Sequence, residues 1–302
     1  MTAGDASGHP DTAEQPYATA QPEAAPPGEA LTPDQARLLE AALPVCALHR
    51  LALAGPRALR AHGLRPAVLR PAELDLATGE STPLGTITAD LARAWHDAGY
   101  VVRPQHPDTA LFAGLVVTPP GPGDAGPPLA VSGGGVAGPP PVTVSVAKRP
   151  LAHPPVPVEV EPGLTVPVVS RDDAACLVLT AAAERTLPDD LLAVHALTAW
   201  VGDAAMPAMA RAFDDDFHPA ALAERLGRLA ALDDEVYLAL GAGPEEVDAA
   251  KRWALAWVQD TTLDLLEGRE DPDSYYDHPD TPGAGAPEGA DGADGAADSY
   301  GL

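Results

Sequence analysis

Val142-Thr143-Val144-Ser145-Val146 alternates apolar and polar residues with the period of a half-buried strand. Two later runs keep the same rule. Val156, Val158 and Val160 alternate with Pro157 and Glu159, and Leu164, Val166 and Val168 with Thr165 and Pro167. Pro162-Gly163 separates the last two and suits a type II turn. Pro155, Pro157 and Pro167 have no N–H for a ladder, which puts some of these strands at edges. Runs this close together predict a small antiparallel Val-rich sheet over 142–170.

Downstream, the pattern turns helical, at about 171–184, 188–201, 204–213, 219–240 and 244–268. The last segment keeps Val247, Ala250, Ala254, Trp257, Val258, Thr261 and Leu265 on one face. Short connections favour antiparallel neighbours, so 171–268 reads as a C-terminal helical bundle.

Upstream, Thr32-Pro33-Asp34-Gln35 is a capping-box start with proline at the first helical position. Pro44 is expected to interrupt that helix, with Val45–Leu53 and Pro56–Ala61 as further short helices. Ala67-Val68-Leu69 and Glu73-Leu74-Asp75-Leu76 are strand candidates, the latter followed by a turn over 77–80. A helix is expected at 88–98 and a buried strand at 111–117. The fold class is therefore α+β: a helix/strand region (31–118), a Pro/Gly-rich loop (119–141), the antiparallel strands (142–170) and the helical region (171–268). Whether 31–170 and 171–268 share a core is open at this level.

The 302 residues carry 44 acidic and 18 basic side chains, a net charge of −26. That excludes a nucleic-acid binder working through a basic surface. Both ends are low in hydrophobicity and one-sided in charge, the composition of disordered tails. Residues 1–30 hold five acids and no base, and the tail 269–302 holds nine acids, all within 270–302, where no Lys or Arg occurs. Fourteen of the excess charges thus sit at the ends. No run of about 18 apolar residues reads as a membrane span. Met1–Pro10 has neither the charge nor the apolar stretch of a signal peptide. With only Cys46 and Cys176, both in apolar settings, a cytoplasmic location with inert thiols is expected. The chain has no Asn and one Ile, a bias typical of GC-rich bacterial coding.

Candidate sites are few. Asp214, Asp215, Asp216 and His218 are hard and borderline donors close enough in sequence to hold a divalent metal. Acidic pairs recur at other helix starts, where the helix dipole accepts them. Gly133–Gly138 spells GxGxxG, but Pro139-Pro140-Pro141 prevents the helix a dinucleotide site requires. No cofactor is implied. His195 lies in an apolar helical pattern, and Trp253 and Trp257 share a helix face as core or interface anchors. Tyr275-Tyr276-Asp277 and Asp298–Leu302 set aromatics among acids, a pattern able to dock on a basic partner. The expected function is a non-catalytic interaction protein (adaptor, scaffold or accessory subunit) with another protein as partner. Two alternatives are an enzyme with a site assembled from distant residues, metal-assisted through Asp214–Asp216 and His218, and an acidic mimic of nucleic acid.

Overall fold

The computed structural model describes residues 31–65, 70, 72–105, 109–120 and 140–267. The tails 1–30 and 269–302, the strand candidate at 67–69 and the Gly133–Gly138 motif lie outside the described residues. Internal contacts divide the chain into units 1–262 and 263–302, and of the second only the end of a helix, 263–267, is described.

Among the described residues, seven strands form one mixed sheet. They are β1 (Ala52–Leu53), β2 (Glu73–Thr78), β3 (Val101–Gln105), β4 (Phe112–Thr118), β5 (Val142–Lys148), β6 (Val156–Glu161) and β7 (Leu164–Val168), in the order β3-β4-β5-β2-β1-β7-β6. The pairs β2–β5 and β1–β7 are parallel and the rest antiparallel. This corrects the expected small antiparallel sheet. Alternation tells which face a residue lies on, but not which strand lies beside it. The partners of β5 are β2 and β4, far upstream, and β7 takes β1 as well as β6. Only the β6–β7 hairpin matches the expectation, with Gly163 at φ 82° in its turn and the proline-bearing β6 at the sheet edge.

The helix α1 (Pro33–His49) begins with the capping box. Gln35 N donates to Thr32 Oγ1 at 3.3 Å, and Thr32 N to Gln35 Oε1 at 2.8 Å. It runs straight through Pro44 rather than breaking there. Pro44 and Glu40 both face solvent, so the carbonyl that loses its helical N–H is hydrated. The helix α2 (Gly55–Ala61) follows β1, and α3 (Leu84–Asp97) follows β2. Trp95 of α3 is fully buried and donates Nε1–H to the Leu38 carbonyl of α1 at 2.9 Å. One face of the sheet, with Leu74, Leu76, Val144 and Val146 buried, belongs to the core, where α3 packs on β4 and β5.

The expected C-terminal helical bundle is also corrected. The helices α4 (Arg171–Glu184), α5 (Pro188–Leu197), α6 (Met206–Phe213), α7 (Pro219–Ala230), α8 (Asp234–Ala239) and α9 (Pro244–Glu267) are not a bundle closed on itself. The helix α4 packs against α2 as well as α5, α6 and α7. A single hydrophobic cluster runs from Leu31 through Val144, Leu179 and Leu226 to Trp257, so 31–170 and the following helices share one core. The helix expected at 219–240 splits at Leu232-Asp233, where Asp233 opens α8.

Trp95→Phe is expected to lower stability by about 2–4 kcal/mol, since the buried hydrogen bond to Leu38 is lost and the smaller ring leaves a cavity. Urea unfolding at unchanged slope checks this.

Candidate active site

The second face of the sheet is not apolar. Residues paired across strands share a face, and the register sets them in rows. Glu73 lies beside Thr143, then Val116 and Arg103. Asp75 lies beside Ser145, then Gly114 and Gln105. Ala77 lies beside Ala147, then Phe112. Along the strands this face passes from carboxylate, through small polar groups, to apolar.

A cleft of about 270 Å³ opens over the first two rows, lined by Arg57, Arg70, Arg185, Glu73, Asp75 and Asp189 among others. Its charged lining is three guanidinium groups against three carboxylates. A second chamber of about 350 Å³ adjoins it and shares Pro56, Asp75, Phe112, Ser145, Arg185 and Asp189 with it.

Asp75 is the unusual group. Its carboxyl has no hydrogen bond from the described residues, and burial pushes it up to about 6, opposed by the charges of Arg185 and Arg57 and reinforced by Glu73. The start of α2 sits directly on it. A Cβ at Gly55 would lie 2.4 Å from Asp75 Oδ2, and Gly55 has φ 63°, so glycine is required there on both counts.

The arginines are held by their own partners. Arg57, 5% exposed, donates from Nε to the Glu73 carbonyl and from Nη2 to the Arg70 carbonyl, both at 2.9 Å. Burial lowers its guanidinium to about 10, with the charge of Asp75 opposing, so it stays charged at neutral pH. Gln35 Nε2 reaches the same Glu73 carbonyl at 2.9 Å, which fixes where β2 begins. Arg70 bridges Glu73 Oε1 at 3.0 Å and Asp189 Oδ1 at 2.6 Å, while its Nε is buried without a partner. Arg185, just past α4, is clamped by Asp190, with Nη2 and Nε at 2.9 and 3.1 Å from Oδ1. Burial acts to lower Arg185; Asp190, with the charges of Asp75 and Asp189, more than offsets it and raises it. Asp190 Oδ2 in turn accepts Leu187 N at 3.1 Å, capping α5.

The donor chemistry fits a magnesium-like cation. Such ions are held by one or two carboxylates and complete their shell with water and substrate phosphates. Glu73 and Asp75 supply hard oxygen groups on one face; Arg70 holds one oxygen of Glu73 and one of Asp189, so Glu73 offers a cation its second oxygen. Among the described residues no group of three or more His, Cys, Asp or Glu is arranged to hold a metal. That includes the sequence candidates. Asp214 ends α6 and accepts Asp216 N at 3.0 Å, closing a tight turn. Asp215, Asp216 and His218 are exposed, away from the cleft. His195 is half-buried beside Trp253, with ring centroids 5.6 Å apart. Cys46 and Cys176 are buried thiols pushed up to about 12. Ser170, His153 and Asp173 form a helix cap and not a nucleophile relay: Ser170 Oγ donates to Asp173 Oδ2 at 2.8 Å, and the His153 ring is 3.5 Å away.

Glu73-Leu74-Asp75-Leu76 reads from sequence as a strand and nothing more; its place in the cleft comes from the fold. The available signal was two carboxylates two residues apart, on one face of a strand whose other face is leucine.

No family model matches this chain, and no curated protein matches it by sequence. Solved structures do. MenT4, a nucleotidyltransferase toxin from Mycobacterium tuberculosis, is 16% identical at TM-score 0.40, covering 73% of this chain and 91% of its own. A protein from H. pylori assigned provisionally as a nucleotidyltransferase is 15% identical at TM-score 0.40, covering 77% and 96%. JHP933 from Helicobacter pylori is 15% identical at TM-score 0.38, covering 80% and 100%. These likenesses are too distant to carry function.

The expectation of a non-catalytic interaction protein is corrected here. The fold builds a charged cleft around a carboxylate with a raised pKa, the kind of feature that marks a candidate functional site.

The pKa of Asp75 lies above that of an unfolded aspartate. Its share of stability is therefore present below about pH 4 and lost as pH rises through about 6. Asp75→Asn is expected to raise unfolding free energy at pH 7.5 by on the order of 2 kcal/mol and to leave it near wild type at pH 4. A loss of stability at pH 7.5 would contradict the burial of an unpartnered charge.

Proposed function

We propose that this chain is a metal-dependent transferase that uses a nucleoside triphosphate and transfers its nucleotidyl group, with inorganic pyrophosphate leaving. The observation that carries the reading is the carboxylate pair Glu73 and Asp75 on one face of β2, within a cleft that also holds Arg57, Arg70 and Arg185. Nucleotidyl transfer is also the activity by which two of the solved structures are described, but the cleft and not the likeness supports the proposal.

Glu73 and Asp75 are the residues that would hold a divalent cation, which supplies charge neutralisation at the phosphates. The three arginines are pre-positioned donors. Arg185 uses Nε and Nη2 on Asp190, which leaves Nη1 for an anion, and guanidinium geometry suits phosphate oxygens. Because the lining charges balance, a free triphosphate gains little from the protein alone, so binding requires the cation. Asp75 must be ionised to serve, and its position near 6 sets where binding is lost on acidification. Thr143 and Ser145 offer hydroxyls beside the two carboxylates.

Pyrophosphate release from nucleoside triphosphates with Mg²⁺ or Mn²⁺, together with label transfer from the α-phosphate, tests this. Asp75→Asn and Glu73→Gln are each expected to lower the rate at least 100-fold, by removing charge stabilisation at the reacting phosphates. The wild-type rate is expected to fall as pH drops below about 6. Release of orthophosphate in place of pyrophosphate, or rates untouched in both variants, would overturn the reading.

A further inference from the structure

The second chamber differs in kind from the first. Its walls include Ala54, Ala77, Ala147, Leu177, Val178 and Ala193, and its charged groups gather where it meets the cleft and around Arg149 and Glu184. Those two are paired with each other, Arg149 Nη2 lying 2.7 Å from Glu184 Oε2. The chamber floor is the third row of the sheet face, Ala77–Ala147–Phe112. Two alanines make that floor flat, and Phe112 is its one large side chain.

Phe112 is also 45% exposed. It lines both chambers, so its ring stands at the seam between the charged end and the apolar end. A leucine or valine would cover the neighbouring strand as well; an aromatic ring left half in solvent offers a face on which a planar ring can stack.

We propose that the second chamber is the base subsite of the triphosphate site, with the heteroaromatic ring of the nucleotide stacked on Phe112 above Ala147 and Ala77. This rests on the triphosphate reading of the cleft. The ligand then follows the polarity gradient of the sheet: phosphates at the Glu73 and Asp75 rows, ring at the Ala77 row. The stacking face accepts any base, because every base has a π-face. Selectivity therefore lies between nucleotides and bare polyphosphate more than among the four bases.

Calorimetric titration with Mg²⁺ present, using ATP, CTP and inorganic tripolyphosphate as probes, tests the inference. Wild type is expected to hold both nucleotides at least tenfold more tightly than tripolyphosphate. Phe112→Ala is expected to remove most of that advantage, weakening ATP and CTP about tenfold and moving tripolyphosphate by less than twofold, while Phe112→Tyr restores it. Ala147→Leu, which fills the floor from a neighbouring strand, is expected to act like Phe112→Ala and guards against a folding defect in either variant. Equal affinity of wild type for tripolyphosphate and nucleotides, or nucleotide binding unchanged in both Phe112→Ala and Ala147→Leu, would overturn the base subsite and leave the triphosphate site standing. Binding of none of the three probes by wild type would overturn both.

Discussion

Asp75 is a half-buried carboxylate on the cleft wall with no hydrogen bond to its carboxyl from the described residues, and its pKa is pushed up to about 6. Partly desolvating a charge without a hydrogen-bond partner costs free energy. Here the surrounding structure is arranged around that cost. Gly55 lets the backbone at the start of α2 approach to a distance no side chain permits. Arg57 and Arg185 offset the charge from two directions without bonding it. Both are occupied elsewhere, Arg57 by the carbonyls of Glu73 and Arg70 and Arg185 by Asp190. A neutral residue at position 75 would relieve the tension, so an ionisable group there reads as a functional constraint that structure alone does not require.

The position of the site follows from the topology. The parallel pairing of β2 with β5 aligns Glu73 with Thr143 and Asp75 with Ser145, and β4 and β3 extend those rows. One face of these strands is consumed by the core. The other is left to α2, to the end of α4 and to the start of α5, whose arginines and aspartates close the cleft. The net charge of −26 is thus a poor guide to the chemistry, since the cleft balances three arginines against three acids within a few ångströms.

Much of the local structure was legible in the sequence. The Thr32–Gln35 capping box, the alternation of β5, β6 and β7 and the helix starts at 171, 188, 219 and 244 all carry their signals within a few residues. What was not legible is non-local. Alternation in 142–146 identifies a strand but cannot name β2 and β4 as its neighbours. The two-residue β1 is too short for any periodicity, yet it joins the two halves of the sheet. The site was missed for the same reason. Arg57, Arg70 and Arg185 have no common spacing with Glu73 and Asp75, and they meet only through the fold. The dense Asp214–Asp216 run drew attention because it is contiguous, and contiguity on an exposed turn builds no enclosure.

In the proposed site, Glu73 and Asp75 together hold a divalent cation against the phosphates of a nucleotide. The most direct measurement is a crystal structure of the wild-type chain grown with Mn²⁺ and a non-hydrolysable nucleoside triphosphate, recorded with anomalous scattering. One strong manganese peak is expected in coordination contact with both carboxylates and with phosphate oxygens, with the phosphates within reach of Arg185. A nucleotide bound elsewhere on the chain, or a cleft with no manganese at Asp75, would contradict it.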